Sequence, residues 1–283
     1  MGDAASDDLA QIDAALAPWR QGDAALDSGA FFLHLADLRR PITPEAREAQ
    51  AATGSGASVE GVASAFPGFV VLSQTCDIVK PCRASPFVEV AALVASGAVL
   101  VEEVRRLRRP TFAFVPGVAE KSLVADLNRV VTVEKAVVAN WSRVPGCRTD
   151  EERRTFAEAL GRKRTRYAFP NLFNEHQRKL KAHFEKLRKK TDSEAMHFNC
   201  IGEIRVRAAP NWDSDSVELF YWFIKDQDPT VANRWPDFLD KWVSLIQQSE
   251  RFKIGGKIAC RLDDMTAKDY VESDRLDLDQ LSA

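Results

Sequence analysis

The stretch Phe66-Pro-Gly-Phe-Val-Val-Leu-Ser-Gln-Thr-Cys-Asp-Ile78 constrains this chain more than any other. An apolar run bounded by Pro67 and Gly68 reads as a β-strand over residues 69–73. A strand that runs into Ser73, Gln74, Thr75, Cys76 and Asp77 sets five groups able to donate, accept or attack at one rim of a sheet. The fold must therefore contain a sheet around residues 69–73, and that rim is the first place to look for a site. The same residues also suit ordinary turn chemistry, with Ser73 and Asp77 satisfying nearby backbone groups.

Other short strands join this one through Pro- and Gly-bearing turns. The pattern predicts strands at Phe31–Leu38, Phe87–Val94, Thr111–Val115 and Ser122–Val133, the last with a bend. Residues 9–27 carry Leu9, Ile12, Ala15, Leu16 and Trp19 at helical spacing. The Ala-, Gly-, Ser- and Thr-rich segment 46–64 lacks an apolar period and reads as a flexible insertion, and Arg105–Arg109 reads as a charged hairpin. Thr149 and Glu152 form a capping-box signature, which predicts a helix over 150–166, followed by a second over 172–190. Strands at 203–208, 217–225 and 253–262, with a helix at 236–248, complete the pattern. The expected class is α+β. The expected order is an N-terminal helix (1–27), a small SH3-like β-barrel (28–147), a basic helical connector (148–192) and a C-terminal α+β domain with an acidic tail (193–283).

The net charge of −2 hides a strong segregation. Arg162, Lys163, Arg164, Arg166, Arg178, Lys179, Lys181, Lys186, Arg188, Lys189 and Lys190 face only Glu175 and Glu185 over 162–190, whereas seven carboxylates crowd 263–279. Such asymmetry concerns partners rather than fold. The cations suit phosphates, and Tyr167, Phe169, Phe173 and Phe184 among them could stack on bases or pack inside the protein. The acidic tail is an alternative partner for them.

Three stretches resemble the MazF/PemK-type toxin family of SH3-like barrels. They are Gly29-Ala-Phe-Phe-Leu-His-Leu-Ala-Asp-Leu38, the pair Phe69-Val-Val-Leu-Ser-Gln74 and Phe87-Val-Glu-Val-Ala-Ala-Leu93, and Leu123-Val-Ala-Asp-Leu-Asn-Arg-Val-Val-Thr-Val-Glu-Lys135. The resemblance spans about residues 28–145 and implies a concave face for RNA or an antitoxin peptide. It also marks Arg129 as a basic contact. The family's cleaving residues are an arginine before the central strand and a Thr or Ser at the end of the next. Here Phe66-Pro67-Gly68 and Val94 stand in their places, with Ser96 two residues on, so ribonuclease activity is not carried over.

The catalytic candidates are Ser73, Thr75, Cys76, Asp77 and His34, with a Cys76–His34 pair oriented by Asp77 if His34 lies on a neighbouring strand. Cys76 and Cys82 are spaced too widely for an ordinary zinc pair, and would need His34, Cys147 or His197 to complete a site, so no metal is expected. The five scattered cysteines read as reduced thiols. No Gly-rich phosphate loop, H-E-x-x-H or G-x-S-x-G occurs, and no cofactor is expected. No apolar run reaches the ~20 residues of a membrane span, and the N-terminus is acidic, which together imply a cytoplasmic location. The expected function is a bacterial binding component of a toxin–antitoxin or phage-defence system. Nucleic acid, an acidic protein or a second copy of the chain would be its partner, and the nucleic-acid contacts would be Arg129, Arg162, Lys163, Arg164, Arg166, Lys179 and Lys181. The alternatives are a nuclease with relocated catalytic groups and a scaffold subunit.

Overall fold

The computed structural model describes residues 3–26, 31–53, 59–165 and 167–276. Gly29 of the expected opening strand, residues 54–58, Arg166, Asp277 and Asp279 lie outside them. The chain divides into two units, Met1–Thr165 and Arg166–Ala283.

The first unit runs α1 (Asp3–Leu16), β1 (Ala24–Leu26), β2 (Phe31–Ala36), α2 (Pro44–Thr53), β3 (Glu60–Ala65), β4 (Gly68–Val71), α3 (Thr75–Ile78), β5 (Phe87–Ala95), α4 (Ala98–Arg105), β6 (Phe112–Phe114), β7 (Leu123–Glu134), α5 (Lys135–Ala139), β8 (Arg143–Val144) and α6 (Asp150–Thr165). Six strands form one antiparallel sheet in the order β6-β7-β5-β4-β1-β8, and β2 pairs only with β3 in a separate ribbon. The sheet is open, not the closed barrel expected, and its packing explains why. Alternate residues of β4 and β5 serve two different cores. Val70, Ala91 and Leu93 join Phe156 and Ala159 of α6, whereas Phe69, Val71, Val88 and Val90 join Leu16, Trp19 and Val138. Helical side chains bury both faces, so the sheet has no need to close on itself. Each large side chain removed from water in this way contributes about 1.5–3 kcal/mol.

The bend expected in β7 is a register shift: Ala91 faces Val130 while Ala92 faces Asp126, which loops out residues 127–129. Two expectations are corrected. The supposed loop at 46–64 contains α2 and β3, because Thr43 caps the helix (its Oγ1 accepts from Ala46 N at 3.2 Å), Pro44 suits the first helical position, and alanine is the strongest helix former. The charged segment Arg105–Arg109 is the last residue of α4 and the turn that follows it, where Arg105 and Arg106 both pair with Glu102 one turn back in the helix. Glu102 is thereby held well below the usual carboxylate range, at about 2.

The second unit runs α7 (Asn171–His176), α8 (Arg178–Leu187), α9 (Ser193–Asn199), β9 (Ile201–Ala209), β10 (Val217–Lys225), α10 (Trp235–Ser244), β11 (Phe252–Cys260), α11 (Ala267–Val271) and β12 (Asp274–Arg275). Its sheet has the order β11-β10-β9-β12, with β10 and β11 parallel. Phe173, Leu180, Phe184 and Leu187 of α7 and α8 share one core with Tyr221, Phe223, Phe238 and Trp242. The basic stretch is therefore divided. α6 packs into the first unit's core and α7 and α8 into the second's. Of the aromatics expected to stack on bases or pack inside, Phe173 and Phe184 are buried and Phe169 packs against that second core, whereas Tyr167 is exposed and stacks on Trp212. The α+β class holds for the whole chain.

Candidate functional site

The rim at Ser73–Asp77 takes its shape from the backbone around it. The turn at Gly22 and Asp23 meets the end of β4 through Gly22 N donating to Val71 O and Val71 N donating to Asp23 O, while Asp23 N donates to Arg20 O. Gly22 adopts φ +88°, and a Cβ on Gly146 would stand 1.8 Å from Gly22 O, so both positions demand glycine. Beneath them Asp23 is fully buried. Its Oδ2 accepts from Arg143 Nε at 2.6 Å and Arg20 N at 2.8 Å, and its Oδ1 from Gly146 N at 3.2 Å. This carboxylate fixes the turn that carries Gln21.

Gln21 in turn holds the rim. Its backbone N–H donates to Thr75 Oγ1 at 3.1 Å and its Nε2 to Leu72 O at 2.7 Å. Ser73 Oγ accepts from Glu89 N at 2.8 Å. The Ser73 and Thr75 hydroxyl oxygens thus serve backbone groups, but groups distant in sequence rather than the nearby ones that the turn reading gave to Ser73 and Asp77. Residues from Thr75 form α3 rather than the continuation of a strand. Cys76 is exposed, with its Sγ 3.6 Å from Gln74 Oε1, and Asp77 pairs with Lys80 at 2.6 Å. His34 does not reach this rim through a neighbouring strand. β2 pairs with β3, β4 pairs with β1 and β5, and His34 Nε2 lies 3.3 Å from Thr43 Oγ1. The Cys76–His34 pair is therefore corrected.

The rim faces α6 across a cleft of about 620 Å³. Its lining joins the apolar Leu72, Leu127, Val130 and Leu160 to Gln21, Ser73, Gln74, Asp77 and Glu89 and, from α6, to Lys163, Arg164 and Thr165. Two segments that the sequence marked separately, the 73–77 rim and the start of the basic run, line one concavity. The capping box positions α6: Thr149 Oγ1 accepts from Glu152 N and Glu152 Oε2 from Thr149 N, both at 3.1 Å. The helix then carries Asp150, Glu151 and Glu152 in its first turn and Arg162, Lys163 and Arg164 in its last, each sign at the end its dipole favours. Lys163 Nζ donates to Asn128 Oδ1, and Arg164 Nη2 meets Glu89 Oε2 at 3.3 Å.

Gln21 and Glu89 escaped the sequence reading. Gln21 left no trace, but Glu89 is a carboxylate inside an otherwise apolar strand, which is a usable signal. Arg129, on the looped-out part of β7, sits over the Phe66 ring at 5.0 Å and near Asp126 at 3.5 Å, and it does not line the cleft. Lys179 and Lys181 belong to α8 in the second unit, where Lys179 is exposed and Lys181 half-buried.

Four described carboxylates of the acidic tail have partners outside the basic run. Asp269 and Glu272 pair with Arg207, Asp274 accepts from Trp212 Nε1 at 2.7 Å, and Asp264 accepts from Arg261 N at 2.9 Å. All five cysteines are free thiols. Burial, with hydrogen bonding to Asp13, pushes Cys82 up to about 11, and burial pushes Cys147 up to about 12, which makes both poor nucleophiles. Among the described residues no three His, Cys, Asp or Glu side chains stand together as a metal site would require, and no helix is long and apolar enough to cross a membrane. No family model matches the sequence, and no curated protein matches it.

Proposed function

We propose that the chain is a nucleic-acid-binding component whose first unit holds a single-stranded segment of RNA or DNA in the cleft between the 73–77 rim and α6. The observation that carries this reading is the union of apolar side chains with Lys163 and Arg164 in the lining of a single concavity. Cations neutralise phosphates, while an unstacked base needs an apolar or π-bearing surface and a few polar groups at its edges. Gln21, Ser73 and Gln74 supply such groups. The Glu89–Arg164 pair does not oppose this use. Its side chains are 45% and 66% exposed, and an ion pair so exposed is worth only ~0–1 kcal/mol, less than a charge-assisted contact to phosphate. The setting, a cytoplasmic component of a bacterial toxin–antitoxin or phage-defence system, follows from the resemblance of residues 28–145 to MazF/PemK-type toxins.

A second reading, a nuclease, is favoured by the carboxylates of Asp77 and Glu89 lining the same cleft as the cations. Incubation of the full chain with labelled RNA and DNA, with and without divalent metal, separates the two. The binding reading expects intact oligonucleotide and an affinity lowered by Lys163→Gln with Arg164→Gln. Cleavage abolished by Ser73→Ala or Cys76→Ala would replace it with the nuclease. No affinity for either polymer would leave a scaffold.

A further inference from the structure

Strand alternation in the second unit sends Leu219, Tyr221 and Phe223 into the core and turns Phe220 and Trp222 to the opposite face. There β9 sets Arg207 in register with Phe220 and Arg205 with Trp222. Arg207 lies between the two rings, its Cζ 5.2 Å from the Phe220 centroid and 5.5 Å from that of Trp222. On the other flank Phe220 faces Gly256, whose added Cβ would come within 2.9 Å of the ring, so β11 offers no side chain there. Two aromatics at alternate positions of a central strand, with a guanidinium between them, make a surface for stacking bases and holding a phosphate.

Carboxylates now meet that guanidinium. Asp269 stands 3.2 Å and Glu272 3.6 Å from Arg207, and Tyr270 lies 3.9 Å beneath the Arg205 guanidinium. α11, which carries Asp269 and Tyr270, buries none of its residues, whereas the chain beyond it is anchored by Leu276 in the core. The helix is fastened by its contacts with the arginines rather than by a core of its own.

We propose that this sheet face binds single-stranded nucleic acid, with a phosphate at Arg207 and bases on Phe220 and Trp222, and that α11 occludes it, the Asp269 and Glu272 carboxylates standing where phosphate oxygens would lie. The inference takes its class of ligand from the nucleic-acid reading above but uses none of the cleft residues. A duplex is excluded as the occupant because its bases are already stacked and unavailable to the rings.

The test uses the full chain and fluorescein-labelled oligo(dT) and oligo(U) of about twelve nucleotides, followed by fluorescence anisotropy. Asp269→Asn with Glu272→Gln frees Arg207 and should tighten binding by about fivefold or more. Asp213→Asn with Asp215→Asn makes the same change in net charge away from Arg207 and should not. Adding Trp222→Leu to the Asp269→Asn, Glu272→Gln variant should abolish the gain, and Phe220→Leu serves if Trp222→Leu does not fold. Lys163→Gln with Arg164→Gln should lower the starting affinity yet leave the fold-gain intact, which keeps the failure of one site distinct from that of the other. Unchanged affinity on freeing Arg207, an equal gain from the Asp213 and Asp215 pair, or a gain that survives loss of the ring would each overturn the proposal.

Discussion

Two of the carboxylate–guanidinium pairs in the first unit have opposite consequences. At Asp23–Arg143 the carboxylate side chain is 1% exposed, and two backbone N–H groups share it with the arginine. At Glu89–Arg164 both partners stand in water at the mouth of the cleft, at a longer separation. The first is architecture: it ties the 20–23 turn to residues 143–146 and so sets the rim. The second is a loose pair whose cation remains available to a ligand. A formal charge therefore says little about binding until burial and partners are known.

Removing the buried member should have the largest effect. Asp23→Ala strands a partly buried guanidinium and two backbone donors, and should lower the unfolding free energy of the first unit by about 3 kcal/mol in urea denaturation. Glu89→Ala should cost far less. Equal losses would erase the contrast between the two pairs.

The second unit offers an independent check in Glu194. Burial alone would raise its carboxyl, but hydrogen bonds from Lys241 Nζ at 2.6 Å, His183 Nε2 at 2.7 Å and Trp242 Nε1 at 2.8 Å outweigh it and hold the group at about 2. With an unfolded value near 4.5, the stability it contributes is fully present above that pH. It should be lost progressively as pH falls from about 4.5 towards 2, because the unfolded chain then binds the proton more readily. Glu194→Gln should flatten that part of the stability–pH curve of the second unit, and an unaltered curve would show that Glu194 is not the responsible group.

The smallest effect on stability is expected at Asp77, whose pair with Lys80 is exposed on both sides. Asp77→Asn should move Tm by less than about 2 °C while weakening binding or activity at the rim. A large drop in Tm would make Asp77 a structural residue of α3 instead.

Local signals explain what the sequence disclosed. Thr149 and Glu152 announced α6 because a capping box is written in adjacent residues, and the strands β5, β7, β9 and β10 announced themselves through apolar content. The openness of the first sheet was not legible: the unbroken apolar run Phe69–Val71 marks a strand buried on both faces, but not which elements cover them. α2 was missed because it is built from alanine and capped by Thr43-Pro44, with only Ala46 fully buried among its described side chains, so it has no apolar stripe to detect. The cleft was half legible. Ser73, Asp77, Lys163 and Arg164 were each marked, but their meeting in one cleft depends on α6 returning to the sheet, where Arg164 meets Glu89 of β5 far back in the sequence. Cys76–His34 failed for the same reason in reverse, as β2 turned away to pair with β3.

The central claim, that Lys163 and Arg164 meet phosphates in the cleft, is tested most directly by the salt dependence of oligonucleotide binding. The logarithm of the affinity of the full chain for single-stranded RNA or DNA should fall linearly with the logarithm of salt concentration. Lys163→Gln with Arg164→Gln should reduce that slope by about 0.7 per lost contact, about 1.4 in all, and by a similar amount for unrelated sequences. An unchanged slope would show that these two cations face solvent and their own neighbours, and the cleft would lose its claim to the ligand.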